Sequence, residues 1–223
     1  MKSPKYESQR LYWKSPRERR KPDHPVIKAF AEPKIRYMNK IIRKHQEGKP
    51  LSILDVGCGN GFFTHYFEGF YTTYALDFSR AMLKNNSSKK KICGSATQLP
   101  FGDDSFDIAF CSNLLHHLEE PEVAILEMKR VSREYVVLSE PNRNNPLMFM
   151  FGLIKKEEQG TLRFSLRYMQ RLIKRAGLRL ISASNIGIIL PNKTPSLLLS
   201  LLRQFDGEFA FAFYNIIVSE KLR

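Results

Sequence analysis

Three cysteines leave little scope for metal or disulfide chemistry. Cys58, Cys93 and Cys111 show neither a C-x-x-C pair nor a His-rich partner spacing, so no metal site is expected. Each borders an apolar run that reads as a strand, where a thiol is a structural residue. No stretch approaches the ~18 consecutive apolar residues of a spanning helix. MKSPKYESQR offers no apolar start of the secretory kind, and the expected location is the cytoplasm. Acids are also scarce: 22 Asp and Glu face 36 Lys and Arg, a net charge of +14. The imbalance is steepest at the start, where residues 1–50 hold 15 basic and 5 acidic side chains, a difference of +10. A basic arm of this kind can steer a polyanion, although a charge run is more often a solvated face.

A chain of 223 residues suits one α/β domain with an appendage. At that size roughly 70–75% of the unfolded surface can be buried, enough for a full core. Residues 1–24, polar and broken by proline, read as a basic N-terminal arm, and residues 25–223 as the domain. Within the arm, Tyr12 and Trp13 are large aromatics suited to packing over the domain. Pro33 suits a first helical position, with Ile35, Met38, Ile42 and His45 following at helical spacing until Gly48.

The organising stretch is LSILDVGCGNGFF, residues 51–63. Leu51, Ile53, Leu54 and Val56 form a near-continuous apolar run suited to a parallel strand buried on both faces, and Gly57, Gly59 and Gly61 then open a turn into a helix. Such a turn lets backbone N–H groups approach a ligand. A dinucleotide fingerprint needs a small residue where Phe62 stands, and a phosphate loop needs Gly-Lys-Ser/Thr, which is missing. A second strand, residues 71–76, closes on Asp77, where an acid is suited to ribose hydroxyls or to capping the helix that follows. Further strands are read near residues 90–94, 106–111, 135–140, 178–188 and 211–222, with helices at 121–131 and 166–177 between them.

The D-x-G-x-G-x-G run of Asp55 to Gly61 resembles motif I of the class I S-adenosylmethionine-dependent methyltransferases, and the chain from about residue 25 onward has the feel of their type 11 group. The resemblance implies a doubly wound, mostly parallel sheet whose last strand is antiparallel. It implies S-adenosylmethionine as cofactor, with Asp55, Gly57, Gly59 and Gly61 around its amino-acid half, whose ammonium and sulfonium suit a nearby acid. Asp77 would take the ribose, Ser95 and Ala96 the adenine, and Ser112 and Asn113 complete the cofactor contacts. The family usually has an acid where Ser95 stands, and a hydroxyl is a single weaker contact. The implied function is methyl transfer to a small or lipid-like acceptor. The rivals are an RNA or protein methyltransferase and a SAM-binding scaffold without activity.

His116 and His117 follow the fourth strand on the side where a methyl group should point, so either is a candidate base, although no catalytic residue is assigned. Cys111, Ser112, Asn113 and Leu114 replace the Asn-Pro-Pro-Tyr type of sequence that grips planar amines, which argues against adenine N6 or glutamine acceptors. Cys111 follows Phe110 rather than a proline and does not suit a cytosine nucleophile. Arg163, Arg167, Arg171, Arg175 and Arg179 recur every fourth residue as a stripe that a polyanion could meet. NPLMFMFGLI (145–154) reads as an apolar substrate loop. It and PSLLLSLLRQF (195–205) are expected to cover an apolar acceptor or else to bury each other. The sequence sets no oligomeric state.

Overall fold

The computed structural model describes residues 11–13, 19–42 and 50–222. Its strands are β1 (Ser52–Val56), β2 (Thr72–Asp77), β3 (Lys91–Cys93), β4 (Phe106–Ser112), β5 (Ser132–Pro141), β6 (Leu178–Ile186) and β7 (Tyr214–Lys221). They make one sheet in the order β3-β2-β1-β4-β5-β7-β6. The first five run parallel, and β7 enters antiparallel between β5 and β6, as the sequence led us to expect. Chain order reverses between β1 and β4, so the loops leaving these two strands diverge to opposite sides of a crevice at the carboxyl edge.

Both faces of the sheet are covered, which explains why β1 reads as an apolar run rather than an alternating one. Ile53 turns to one face, against α1 (Pro25–Ile42) and α2 (Thr64–Phe67), while Leu54 and Val56 turn to the other, against α4 (Pro121–Val131) and α6 (Leu166–Arg175). The helix α3 (Arg80–Lys84) follows β2, α5 (Pro146–Ile154) follows β5, and α7 (Leu199–Arg203) lies between β6 and β7. Turns of 3-10 type occupy Leu115–His117, Lys156–Arg163 and Ser196–Leu198.

Two expectations are corrected here. Pro33 does not open the first helix. That helix starts at Pro25, behind His24, whose Nδ1 accepts from the Val26 N–H at 3.1 Å, and it carries Pro33 in its interior. An interior proline costs about 3 kcal/mol, and burial offsets it: 12 residues of α1 are buried, including Ile35, Met38 and Ile42. His45 and Gly48 lie outside the described residues. Residues 146–154 are not a loop either but the helix α5, started by Pro146 and capped by Asn145, whose side chain accepts from the Met148 N–H.

The Lys156–Arg163 segment docks backbone to backbone on the loop after β4. At Gly160 an added Cβ would stand 1.7 Å from the His116 carbonyl oxygen. Gly160→Ala should therefore cost about 3 kcal/mol or more, read as a lowered urea midpoint. Gly102→Ala, where the nearest side-chain atom is 3.8 Å away, should leave the midpoint near wild type.

Candidate functional site

The turn after β1 is held by its backbone. Gly57, Gly59 and Gly61 have φ values of 73°, 55° and 89°, in the left-handed region. A Cβ on Gly57 would also lie 2.8 Å from Leu114, and one on Gly61 2.9 Å from Asn86, so these two positions accept no side chain. The N–H groups of Gly57 and Cys58 donate to the Leu76 carbonyl at 2.7 and 3.0 Å, tying the turn to the end of β2. Asp77 completes the link: one carboxylate oxygen accepts from Gly59 N–H and the other from Ser79 N–H, each at 2.8 Å. The cap of α3 is Ser79, whose Oγ accepts from the Met82 N–H, so Asp77 is not itself the cap.

Burial sets the acids of this site. Asp55 is buried and accepts from the Thr64 hydroxyl at 2.6 Å, which fastens strand to helix beneath the turn. Loss of hydration pushes its carboxyl up to about 7 despite that bond. Burial raises Asp77 as well, against its two N–H donors and Arg19.

On the opposite wall, Ser95 Oγ lies 2.8 Å from the Thr97 hydroxyl and Ala96 is buried beside it. Ser112 Oγ is buried without a hydrogen-bond partner among the described residues. Asn113, at φ 52°, donates its N–H to the Ser139 carbonyl. One cavity of about 170 Å³ touches Asp55, Gly57, Gly59, Asp77, Ser95, Ala96, Ser112 and Asn113. Gly61 is not among its lining residues and serves the packing of the turn on Asn86.

The two histidines have opposite fates. His116 is buried with Nδ1 2.6 Å from Glu140 and Nε2 3.1 Å from Glu158. Burial alone would lower its pKa, but the two carboxylates outweigh it and raise it to about 9, so the ring is an imidazolium clamped between acids. Glu140 also accepts from the N–H groups of Leu114 and Leu115 at 2.9 and 2.8 Å. His117 lines the cavity, and burial together with the charge of His116 pushes it down to about 3. Neither ring is a strong base at neutral pH: one already holds its proton, and the other has little affinity for one.

Sequence reasoning did not find the cover of the cavity beyond its hint at Trp13. The Trp13 ring stands edge-on to His117 at 5.2 Å, its carbonyl accepts from the Ser79 hydroxyl, and the Arg19 guanidinium lies 4.6 Å over its face. Arg20 then donates to the carbonyls of Pro191 and Thr194 at 2.9 and 2.8 Å, and its own carbonyl accepts from Asn60. Residues 13 and 19–22 thus cross from the turn after β1 to the loop after β6.

The arginine stripe does not survive folding as one surface. Only Arg167, Arg171 and Arg175 are on α6. Arg163 belongs to the preceding 3-10 segment and donates to the Leu118 carbonyl, and Arg179 is in β6. Arg175 pairs with Glu122 and Arg179 with Glu220.

Residues 54–138 match a family model described as a methyltransferase domain. An uncharacterized protein of Methanocaldococcus jannaschii is 37% identical over 92 residues, 41% of this chain and 40% of that one. A demethylmenaquinone methyltransferase of Renibacterium salmoninarum is 40% identical over 86 residues, 36% of each chain. The matched region thus spans about two fifths of these relatives' length. Among solved structures, a SAM-dependent methyltransferase of Thermotoga maritima, described as a possible histamine N-methyltransferase, superposes with a TM-score of 0.67 at 16% identity, covering 88% of this chain and 91% of that one. This last likeness concerns the fold.

The clamp makes a pH prediction. The folded value of His116 lies above its ordinary 6.5, so its stabilising contribution is fully present below 6.5 and is lost as pH rises through about 9. Melting temperature should fall across that window in the wild type and fall less in His116→Asn. By NMR, the His116 imidazole should titrate near 9 while His117 stays neutral, and His116 titrating near 6.5 would contradict the clamp.

Proposed function

Taking as premise that residues 54–138 belong to the type 11 group of class I S-adenosylmethionine-dependent methyltransferases, we propose that this protein transfers a methyl group from that donor to a small or lipid-like acceptor. The supporting observation is the cavity at the reversal of strand order, where Asp55, Gly57, Gly59, Asp77, Ser95 and Ser112 meet. The cavity suits the donor: it has a glycine turn that no side chain fills, acids on one wall and a buried hydroxyl, Ser112, with hydrogen-bonding capacity to spare.

In this reading Gly57 and Gly59 would hold the amino-acid half through backbone groups and Asp77 the ribose, with Ser95 and Ala96 at the adenine. Asp55, kept near 7 by burial, would ionise as a cation arrives. When bound, S-adenosylmethionine supplies an electrophilic methyl group on a sulfonium. The protein's own work is alignment and exclusion of water, and alignment alone is worth about 7–11 kcal/mol. Trp13 and the Arg19–Pro22 strap would do the excluding, and we read residues 1–24 as an arm serving the domain 25–223 in this way. His117, uncharged and facing the cavity, would accept a hydrogen bond from the acceptor rather than remove its proton.

The lipid-like side of the acceptor reading is supported by relatives named as demethylmenaquinone methyltransferases and by the apolar rings of Phe30, Phe62 and Phe63 along the cavity. Calorimetry tests the donor assignment. S-Adenosylmethionine and its demethylated product should bind and nicotinamide dinucleotides should not. Asp77→Ala should weaken donor binding by about 1–3 kcal/mol, roughly 5- to 150-fold. A dissociation constant within twofold of wild type would defeat the ribose role.

A further inference from the structure

The two apolar segments that the sequence marked as covers neither enter the cavity nor bury one another. The helix α5 packs chiefly on the Lys156–Arg163 segment, and α7 on α1. On α5, Leu147, Met150 and Ile154 stand one helical turn apart and are 65%, 50% and 71% exposed. On the second segment, Leu197 is 90% exposed, and Leu201 and Phe205 point outward too. Both segments lie at one edge of the sheet. β5 and β6 each run antiparallel to β7, so they end on the same side, and α5 follows β5 as α7 follows β6. That is also the edge at which the cavity opens.

Beside the second of these segments lies an open groove of about 390 Å³ walled by Ile188, Leu190, Pro195, Leu202 and Phe213, with Lys193 at its rim. Only the turn 190–193 separates it from the cavity, because Pro191 and Asn192 line the cavity while Leu190 and Lys193 line the groove. Charge surrounds the same face. Arg143 precedes α5, Lys155 and Lys156 end it, and Lys193 precedes α7. All four are exposed, and none takes part in an ion pair among the described residues.

We propose that this edge docks on an anionic lipid surface, with Leu147, Met150, Ile154, Leu197, Leu201 and Phe205 inserted among the acyl chains and the groove receiving the apolar tail of a lipid acceptor. The charge selects this occupant over a second copy of the chain. Two copies, each at +14, would bring basic rims together on a shared face, whereas an anionic bilayer is attracted to the same lysines and takes up the aliphatic side chains. Interface cores between proteins also disfavour charged residues, and here lysines close one end of α5. The proposal deepens the acceptor reading above and rests on it only for what the groove holds.

Vesicle flotation tests it with the full chain. The wild type should float with vesicles of mixed phosphatidylglycerol and phosphatidylcholine, more weakly with phosphatidylcholine alone, and less as salt rises. The triple variant Leu147→Ser, Ile154→Ser, Leu201→Ser should lose at least about tenfold in partitioning. Its melting temperature and its calorimetric affinity for S-adenosylhomocysteine should stay at wild-type values, so a failure here is distinct from a failure of the donor site. Absence of wild-type flotation with the anionic vesicles, or flotation unchanged in the triple variant, would overturn the proposal. A wild-type dimer by light scattering that the variant renders monomeric would overturn it in favour of a second copy.

Discussion

The carboxylate of Glu140, fully buried at the end of β5, holds the carboxyl edge of the sheet together. It takes three backbone N–H groups from the loop after β4, those of Leu114, Leu115 and His116, and the Nδ1 of His116, and His116 passes the contact on to Glu158 in the 3-10 segment. Three pieces of chain distant in sequence are thereby fixed to one point. Removing one member of such a set leaves a buried charge without its partner, a loss of about 3–5 kcal/mol. One residue along, His117 lines the cavity, and its own burial with the charge of the neighbouring His116 keeps its pKa down at about 3.

The opposite wall is organised by Asp77 in a similar manner. Its two oxygens bind the glycine turn to the start of α3, so the loops after β1 and β2 hold one shape before any ligand arrives. Two carboxylates at the ends of β2 and β5, each gripping backbone N–H groups, thus pre-form the two sides of the crevice that the strand order opens between β1 and β4. The arm brings Trp13 and Arg20 across the top, and the apolar, basic-rimmed segments flank the same edge.

Much of this was legible because it rests on local pattern. The apolar run of β1, the three glycines and an acid at the end of β2 are all short-range signals, and with the family resemblance they carry, they located eight residues of one cavity. Pro121, read as a helix start, is one. Pro33, read by the same rule, is not, because the packing of α1 against the sheet outweighs the lost hydrogen bond. Residues 146–154 misled for a related reason: apolar on all sides, they carry no 3.6-residue alternation, so their helix has no periodic signature and two of its faces remain exposed. Glu140 and Glu158 were invisible as partners of His116. They lie 24 and 42 residues from it, one inside an apolar strand and one in a polar Lys-Glu-Glu-Gln run, and only the β4–β5 pairing and the docking at Gly160 bring them together.

The central claim is that one crevice between the loops after β1, β2 and β4 holds the methyl donor in a fixed orientation. A crystal structure grown with S-adenosylhomocysteine tests it most directly. The account predicts ribose density within hydrogen-bonding reach of Asp77, adenine against Ser95 and Ala96, the amino-acid end over Gly57 and Gly59, and the sulfur directed toward the His117 side. Density for the nucleoside anywhere else, or with the ribose turned away from Asp77, would contradict it.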